Sequence, residues 1–117
     1  MNISVLASGS RGNCTLIYDD NNAILIDMGI STRKLKQALA QLHLNIEDLD
    51  AIFITHEHID HIAGLGVIAR RYGIPMYATG ETVDAILHTK TVGKIDEALF
   101  QVIESEREFT IGDLTIE

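Results

Sequence analysis

The chain has 117 residues, 46% of them hydrophobic and 22% charged, with 9 Lys and Arg against 17 Asp and Glu for a formal charge of −8. That composition is ordinary for a globular protein and excludes collagen-like, fibrous and disordered classes; the size supports one core and one domain, residues 1–117. The negative charge disfavours non-specific gripping of phosphate backbones, which relies on a basic surface, but does not oppose a site built on bound cations. A single cysteine, Cys14, forbids an intrachain disulfide and points to a reducing, cytoplasmic setting. No run approaches the roughly 20 apolar residues of a membrane span, and no signal sequence opens the chain, so no membrane association is expected.

In chain order, Asn2 to Ala7 is a short apolar run that breaks at the turn formers Ser8-Gly9-Ser10-Arg11-Gly12-Asn13. Cys14 to Tyr18 and Ala23 to Ile26 flank Asp19-Asp20-Asn21-Asn22 and predict a hairpin. The period then changes: Ser31 caps a predicted helix with Leu35, Ala38, Leu39 and Leu42 on one face. Asp50 to Thr55 reads as a buried strand. It feeds the polar stretch His56 to His61, and a helix is expected from about Ile62 to Tyr72, closed by Gly73 and Pro75. Met76 to Ala78 predicts a strand, Glu81 to His88 a helix, and Phe100 to Ile103 a strand. Phe109 and Ile111, then Leu114 and Ile116, flank Gly112-Asp113 as a last hairpin. Alternating strands and helices after an opening hairpin imply mixed α/β layers. A final strand at Glu117 with no element beyond it leads us to expect a truncated chain or an edge completed by another chain.

The chemistry concentrates in His56-Glu57-His58-Ile59-Asp60-His61, where three of the five histidines fall within six residues. After a strand, His56 and His58 can turn the same way while Asp60 and His61 converge from the start of the next helix. Imidazole nitrogen and carboxylate oxygen suit zinc, iron or manganese, and adjacent sets of this kind can hold two ions. Such ions acidify water from a pKa of 15.7 to about 7 and stabilise attacking and leaving oxygens, so hydrolysis by a metal-bound hydroxide is the natural chemistry. The plain alternative is a solvated loop that binds metal adventitiously. His43 and His88 read as surface or packing residues, and Asp27, at a strand end before Gly29, is compatible with either a buttress or a turn cap.

Thr55-His56-Glu57-His58-Ile59-Asp60-His61 with Gly64 resembles the H-x-H-x-D-H signature of the metallo-β-lactamase superfamily of metal-dependent hydrolases. Ala23-Ile24-Leu25-Ile26-Asp27-Met28-Gly29 is similar to that superfamily's upstream strand ending in Asp and Gly, and Ser8-Gly9-Ser10-Arg11-Gly12-Asn13-Cys14 resembles its YycJ-like bacterial branch, nuclease-like phosphodiesterases. The resemblance implies two divalent ions, zinc or manganese, with His56 and His58 on one and Asp60 and His61 on the second. His58 and Asp60 are thereby the residues on which catalysis depends. Asp27 would buttress the ligand loop. It also implies that these residues form the N-terminal half of an αββα sandwich. Two donors per ion fall short of the roughly four expected, and the missing half, or self-association, is expected to cover an apolar sheet face.

The expected activity is therefore that of a phosphodiesterase, exonuclease-like and acting on nucleic acid. A thioester, lactone or other ester hydrolase with the same site is one alternative, and a catalytically incomplete, self-associating fragment is the other. By the resemblance, Ser8 and Asn13 lie near the pocket, where the 8–13 loop could offer N–H groups to an anion; a plain tight turn is the competing reading. Cys14 reads as a small buried strand residue, Arg70-Arg71 as a complement to a helix dipole, and Tyr72 and Tyr77 as core or rim. Glu104, Glu106, Arg107 and Glu108 read as a solvated run.

Overall fold

The opening apolar runs are too short and too β-rich to form helices, and they pair in the order in which they leave the chain. In the computed structural model, which describes residues 1–104, 109–111 and 114–116, β1 (Asn2–Ala7), β2 (Cys14–Tyr18) and β3 (Ala23–Ile26) form an antiparallel meander. Asp19 builds the turn between β2 and β3: its Oδ1 accepts the N–H groups of Asn21 and Asn22, both at 2.8 Å. Those bonds favour the ionised carboxylate and hold it below its ordinary 3.8.

From β3 onward the strands are parallel, because helices carry the chain back over one face. β4 (Ala51–Phe53), β5 (Met76–Thr79) and β6 (Phe100–Ile103) add in sequence, giving one sheet of order β1-β2-β3-β4-β5-β6. The crossovers are α1 (Thr32–Gln41), α2 (Ile59–Ile62) with α3 (Leu65–Tyr72), and α4 (Gly80–Leu87). This is the mixed α/β architecture expected. β7 (Phe109–Ile111) and β8 (Leu114–Ile116) pair antiparallel in a separate two-stranded sheet; Gly112-Asp113, expected from the sequence as a hairpin turn, the run from Glu106 to Glu108 and Glu117 lie outside the described residues.

Helix ends follow local chemistry. Ser31 Oγ accepts the Lys34 N–H at 3.2 Å to start α1, and Thr79 caps α4 one residue earlier than expected. α1 stops where His43 takes φ 60° and lets the Leu44 N–H reach back to the Leu39 carbonyl at 2.9 Å. His43 is therefore exposed at a helix terminus, well placed to end the helix. Asp50 does not begin β4; its Oδ2 accepts the Ala23 N–H at 2.9 Å.

The single helix expected over 62–72 is instead two. α2 begins early, at Ile59, and ends at Ile62. Between α2 and α3 the Gly64 N–H donates to the Met28 carbonyl at 2.9 Å, and a side chain there would run into the Ile30 carbonyl. The connection leaving β3 passes so close that the helix has to be interrupted. Apolar periodicity could not report this, since the intruding backbone lies far away in sequence.

One sheet face packs on the helices: Leu16, Leu25, Ile52 and Met76 meet Leu35, Leu39, Ile62, Leu65, Ile68 and Ile86, all fully buried. Burying each such side chain contributes about 1.5–3 kcal/mol. On the other face Ile24, Ala51 and Phe53 form a second cluster with Ile17, Ile26, Tyr77 and Ile103, the Tyr77 ring stacking on Phe53 at 4.9 Å. The register puts Ile3 and Val5 on this same face, 70% and 63% exposed. Tyr72 is half-buried beneath Lys36. Among the described residues no helix is long and apolar enough to cross a membrane.

Helix propensity alone says that Gly64→Ala should stabilise by about 1 kcal/mol. The backbone contact says the opposite: a loss of about 1–3 kcal/mol, read from denaturant midpoints of the complete gene product. A higher midpoint in the variant would refute the close approach.

Candidate metal centre

Ile26 and Phe53 are paired in the parallel β3–β4 ladder, so the chain beyond both strands emerges at one edge of the sheet. There Asp27 continues the ladder through its N–H to the Phe53 carbonyl at 2.6 Å. It takes φ 66°, a left-handed conformation that Asp tolerates better than most residues. Its carboxylate is buried, at 5% exposure, which would be costly without partners. It has three. Oδ1 accepts the Thr55 N–H at 2.8 Å, and Oδ2 takes the Thr55 hydroxyl at 2.7 Å and meets His61 Nδ1 at 2.7 Å.

The histidines gather around this group. His56 Nδ1 lies 3.0 Å from the Thr55 hydroxyl. The His56 ring is centred 5.0 Å from that of His61 and 6.0 Å from that of His58. His58 is the residue from which α2 departs, while Asp60 and His61 sit in the first turn of α2. His61 Nε2 lies 3.6 Å from Asp60 Oδ2. His56 and His58 are exposed, and Asp60 and His61 are half-buried.

A second strap holds Asp60 from the opposite side. The Asn13 N–H donates to the Asp60 carbonyl at 2.7 Å, and Asn13 Nδ2 reaches that carbonyl at 3.2 Å and Asp60 Oδ2 at 3.1 Å. The Met28 N–H donates to the His61 carbonyl, and the Gly29 N–H to the Asn13 carbonyl, both at 2.9 Å. Gly29 has no room for a side chain, because a Cβ would overlap the Asp60 carbonyl.

The 8–13 loop departs from its anion-binding reading. The Gly9 N–H donates to Asn13 Oδ1 at 3.1 Å, the Gly12 N–H to the Gly9 carbonyl at 3.2 Å, and the Asn13 N–H to Asp60. These donors are already engaged in holding the loop against the histidine segment. Ser8 and Arg11 are exposed and make no hydrogen bond to the cluster among the described residues. Arg70 is also engaged internally, its Nη1 donating to the carbonyls of Val92 and Lys94 at 2.9 and 2.8 Å. His88 ends α4 with Nδ1 2.7 Å from the Asp84 carbonyl. Thr55 is the participant that sequence reasoning passed over; its only signal was a hydroxyl between a strand and the first histidine.

The donor set, three imidazoles and a carboxylate beside a buried acid, has the chemistry of a borderline divalent-ion site. Among the described residues no group of three His, Cys, Asp or Glu side chains forms a ready ion site. The donors come instead as neighbours held by Asp27, Thr55 and Asn13.

The family described as the metallo-β-lactamase superfamily matches residues 7–116. The chain is 44% identical over 114 residues to exodeoxyribonuclease WalJ of Streptococcus pneumoniae serotype 2 (strain D39 / NCTC 7466), covering 97% of the chain and 42% of that protein. It is 40% identical over 120 residues to exodeoxyribonuclease YycJ of Bacillus anthracis, covering 100% of the chain and 44% of the relative. The chain thus spans less than half the length of these relatives. Among solved structures, a B3 metallo-β-lactamase with an active-site glutamic acid superposes with a TM-score of 0.78 at 19% identity, over 97% of this chain and 47% of that one. The Rm3 metallo-β-lactamase gives 0.77 at 22% identity, over 97% and 46%. At those identities the likeness is one of fold.

Cys14 is fully buried, and its thiol is pushed up from 9.0 to about 12, by burial first and by the Asp27 charge second. A neutral, enclosed thiol is no nucleophile. Between those two values the folded state keeps a proton that the unfolded state has lost, so stability falls as pH rises. Cys14→Ala should remove that part of the slope: in urea unfolding, the stability gap between wild type and variant narrows from about pH 8 to about pH 10.5. A gap that stays constant would contradict the shift.

Proposed function

Starting from a chain that belongs to the metallo-β-lactamase superfamily, we propose that it carries the histidine-rich half of the active site of a metal-dependent phosphodiesterase, an exonuclease acting on DNA in the cytoplasm. The observation that carries the reading is the buried Asp27 carboxylate bonded to both Thr55 and His61, a partner arrangement of the kind that orients metal-ligating imidazoles. In this reading residues 1–117 are the N-terminal half of a two-sheet domain, β1 to β6 form its helix-covered sheet, and the apolar face around Phe53 and Tyr77 is where the second sheet lies.

His56 and His58 would hold one divalent ion, and Asp60 and His61 a second, zinc or manganese; completing either shell takes donors beyond these four. When bound, such ions supply an acidified water and offset the charge that develops on phosphorus. The chain's own groups do the positioning. Asn13 holds one oxygen of Asp60, leaving Oδ1 without a protein partner among the described residues. Asp27 engages His61 Nδ1 and leaves Nε2 for a ligand role. The bound cations would also answer the charge of −8, which otherwise repels a polyanion. That the relatives at 44% and 40% identity are named exodeoxyribonucleases favours a phosphodiester over a thioester or lactone.

The test uses the complete gene product. Chelation should abolish hydrolysis of a DNA end and of a bis-nitrophenyl phosphate, and zinc or manganese should restore it. Changes in groups that only orient metal ligands cost about 10–100-fold, so His58→Ala and Asp60→Ala are each expected to lose about 100-fold or more. An intact rate in either variant, or faster turnover of a thioester than of the phosphodiester, would overturn the reading.

A further inference from the structure

Thr55 stands between one acid and two imidazoles, and its hydroxyl has a single proton to give. Its Oγ lies 2.7 Å from Asp27 Oδ2, 3.0 Å from His56 Nδ1 and 3.5 Å from His61 Nδ1. A carboxylate accepts only, so the hydroxyl proton goes to Asp27. What remains on Oγ are lone pairs, and the nearer nitrogen, that of His56, can bond to them only by donating. His61 Nδ1 meets the same Asp27 oxygen at 2.7 Å and, again facing an acceptor, must carry its own proton.

We infer that Thr55 is a positioning residue that relays the Asp27 carboxylate to His56, fixing that imidazole as its Nδ1–H tautomer and leaving Nε2 as the lone-pair nitrogen. One buried acid thereby sets two histidines, His61 directly and His56 through a hydroxyl. A ring nitrogen can ligate only where its proton is absent, and the bond made by the opposite nitrogen decides which one that is. His56 is exposed, so without Thr55 no hydrogen bond to its ring among the described residues would make that choice. The inference deepens the proposed metal role and rests on it for its purpose, but the tautomer itself is a property of the metal-free protein.

The test is a long-range proton–nitrogen correlation spectrum of the histidines in the metal-free complete gene product, at a pH above the imidazole range, where the two tautomers give distinct nitrogen shifts. Wild type is expected to show both His56 and His61 as Nδ1–H. Thr55→Val should release His56 toward Nε2–H while His61, bonded to Asp27 itself, stays as it was; Thr55→Ser, which keeps the hydroxyl, should restore the wild-type pattern. Zinc affinity, measured by competition with a chromophoric chelator, should fall about 10–100-fold in Thr55→Val and recover in Thr55→Ser. His56 found as Nε2–H in wild type, or unmoved in Thr55→Val, overturns the inference. If Thr55→Val does not fold, the wild-type and Thr55→Ser spectra decide. A wild type with the expected tautomers that takes up no zinc would sink the metal reading and leave the tautomer assignment standing; zinc uptake with His56 as Nε2–H does the reverse.

Discussion

A buried carboxylate at the end of β3 is the constraint on which the site depends. Asp27 leaves the sheet with φ 66° and only 5% exposure, an arrangement that costs free energy unless its oxygens are fully bonded. Thr55 and His61 supply those bonds, and in doing so they tie the end of β4 and the first turn of α2 to the end of β3. The same interactions that make the acid tolerable bring the histidine segment together. Stability and site geometry are here one set of hydrogen bonds.

Close backbone approach does the rest. Asn13 clasps Asp60 from the β1–β2 loop, and Gly29 and Gly64 let three connections pass at distances that no side chain would permit. The break between α2 and α3 follows from this crowding: α2 is a single turn that ends once it has aimed Asp60 and His61, and α3 resumes where the backbone is clear. The helix-covered face of the sheet is a conventional apolar core. The other face, with Phe53 stacked on Tyr77 and with Ile3 and Val5 exposed, has the composition of an interior rather than of a solvated surface.

Much of this was legible in the sequence because it is local. The change from period two to period 3.6 after Ile26, the Ser31 cap and the strand-like 50–55 and 76–78 runs all report on neighbours within a few residues, and the strand–helix alternation follows from them. The histidine cluster was legible for the same reason, its donors being adjacent. What escaped was non-local. Asn13 meets Asp60 across 47 positions and Thr55 meets Asp27 across 28. No periodicity encodes those contacts, so Thr55 had no visible role and the 8–13 loop read equally as a source of free N–H groups or as a plain tight turn. The split helix was missed likewise, since only the folded position of Met28 and Ile30 makes Gly64 a break.

The account is most directly tested at Asp27, by titrating zinc into the complete gene product and its Asp27→Asn variant calorimetrically, with unfolding curves alongside. The amide keeps the volume but replaces one acceptor oxygen with a donor. The Thr55–His61 bonds are then only partly satisfied, and affinity should fall about 10–100-fold in a protein that is still folded but less stable. Equal zinc affinity and equal stability in the two proteins would contradict the claim that this carboxylate organises the site.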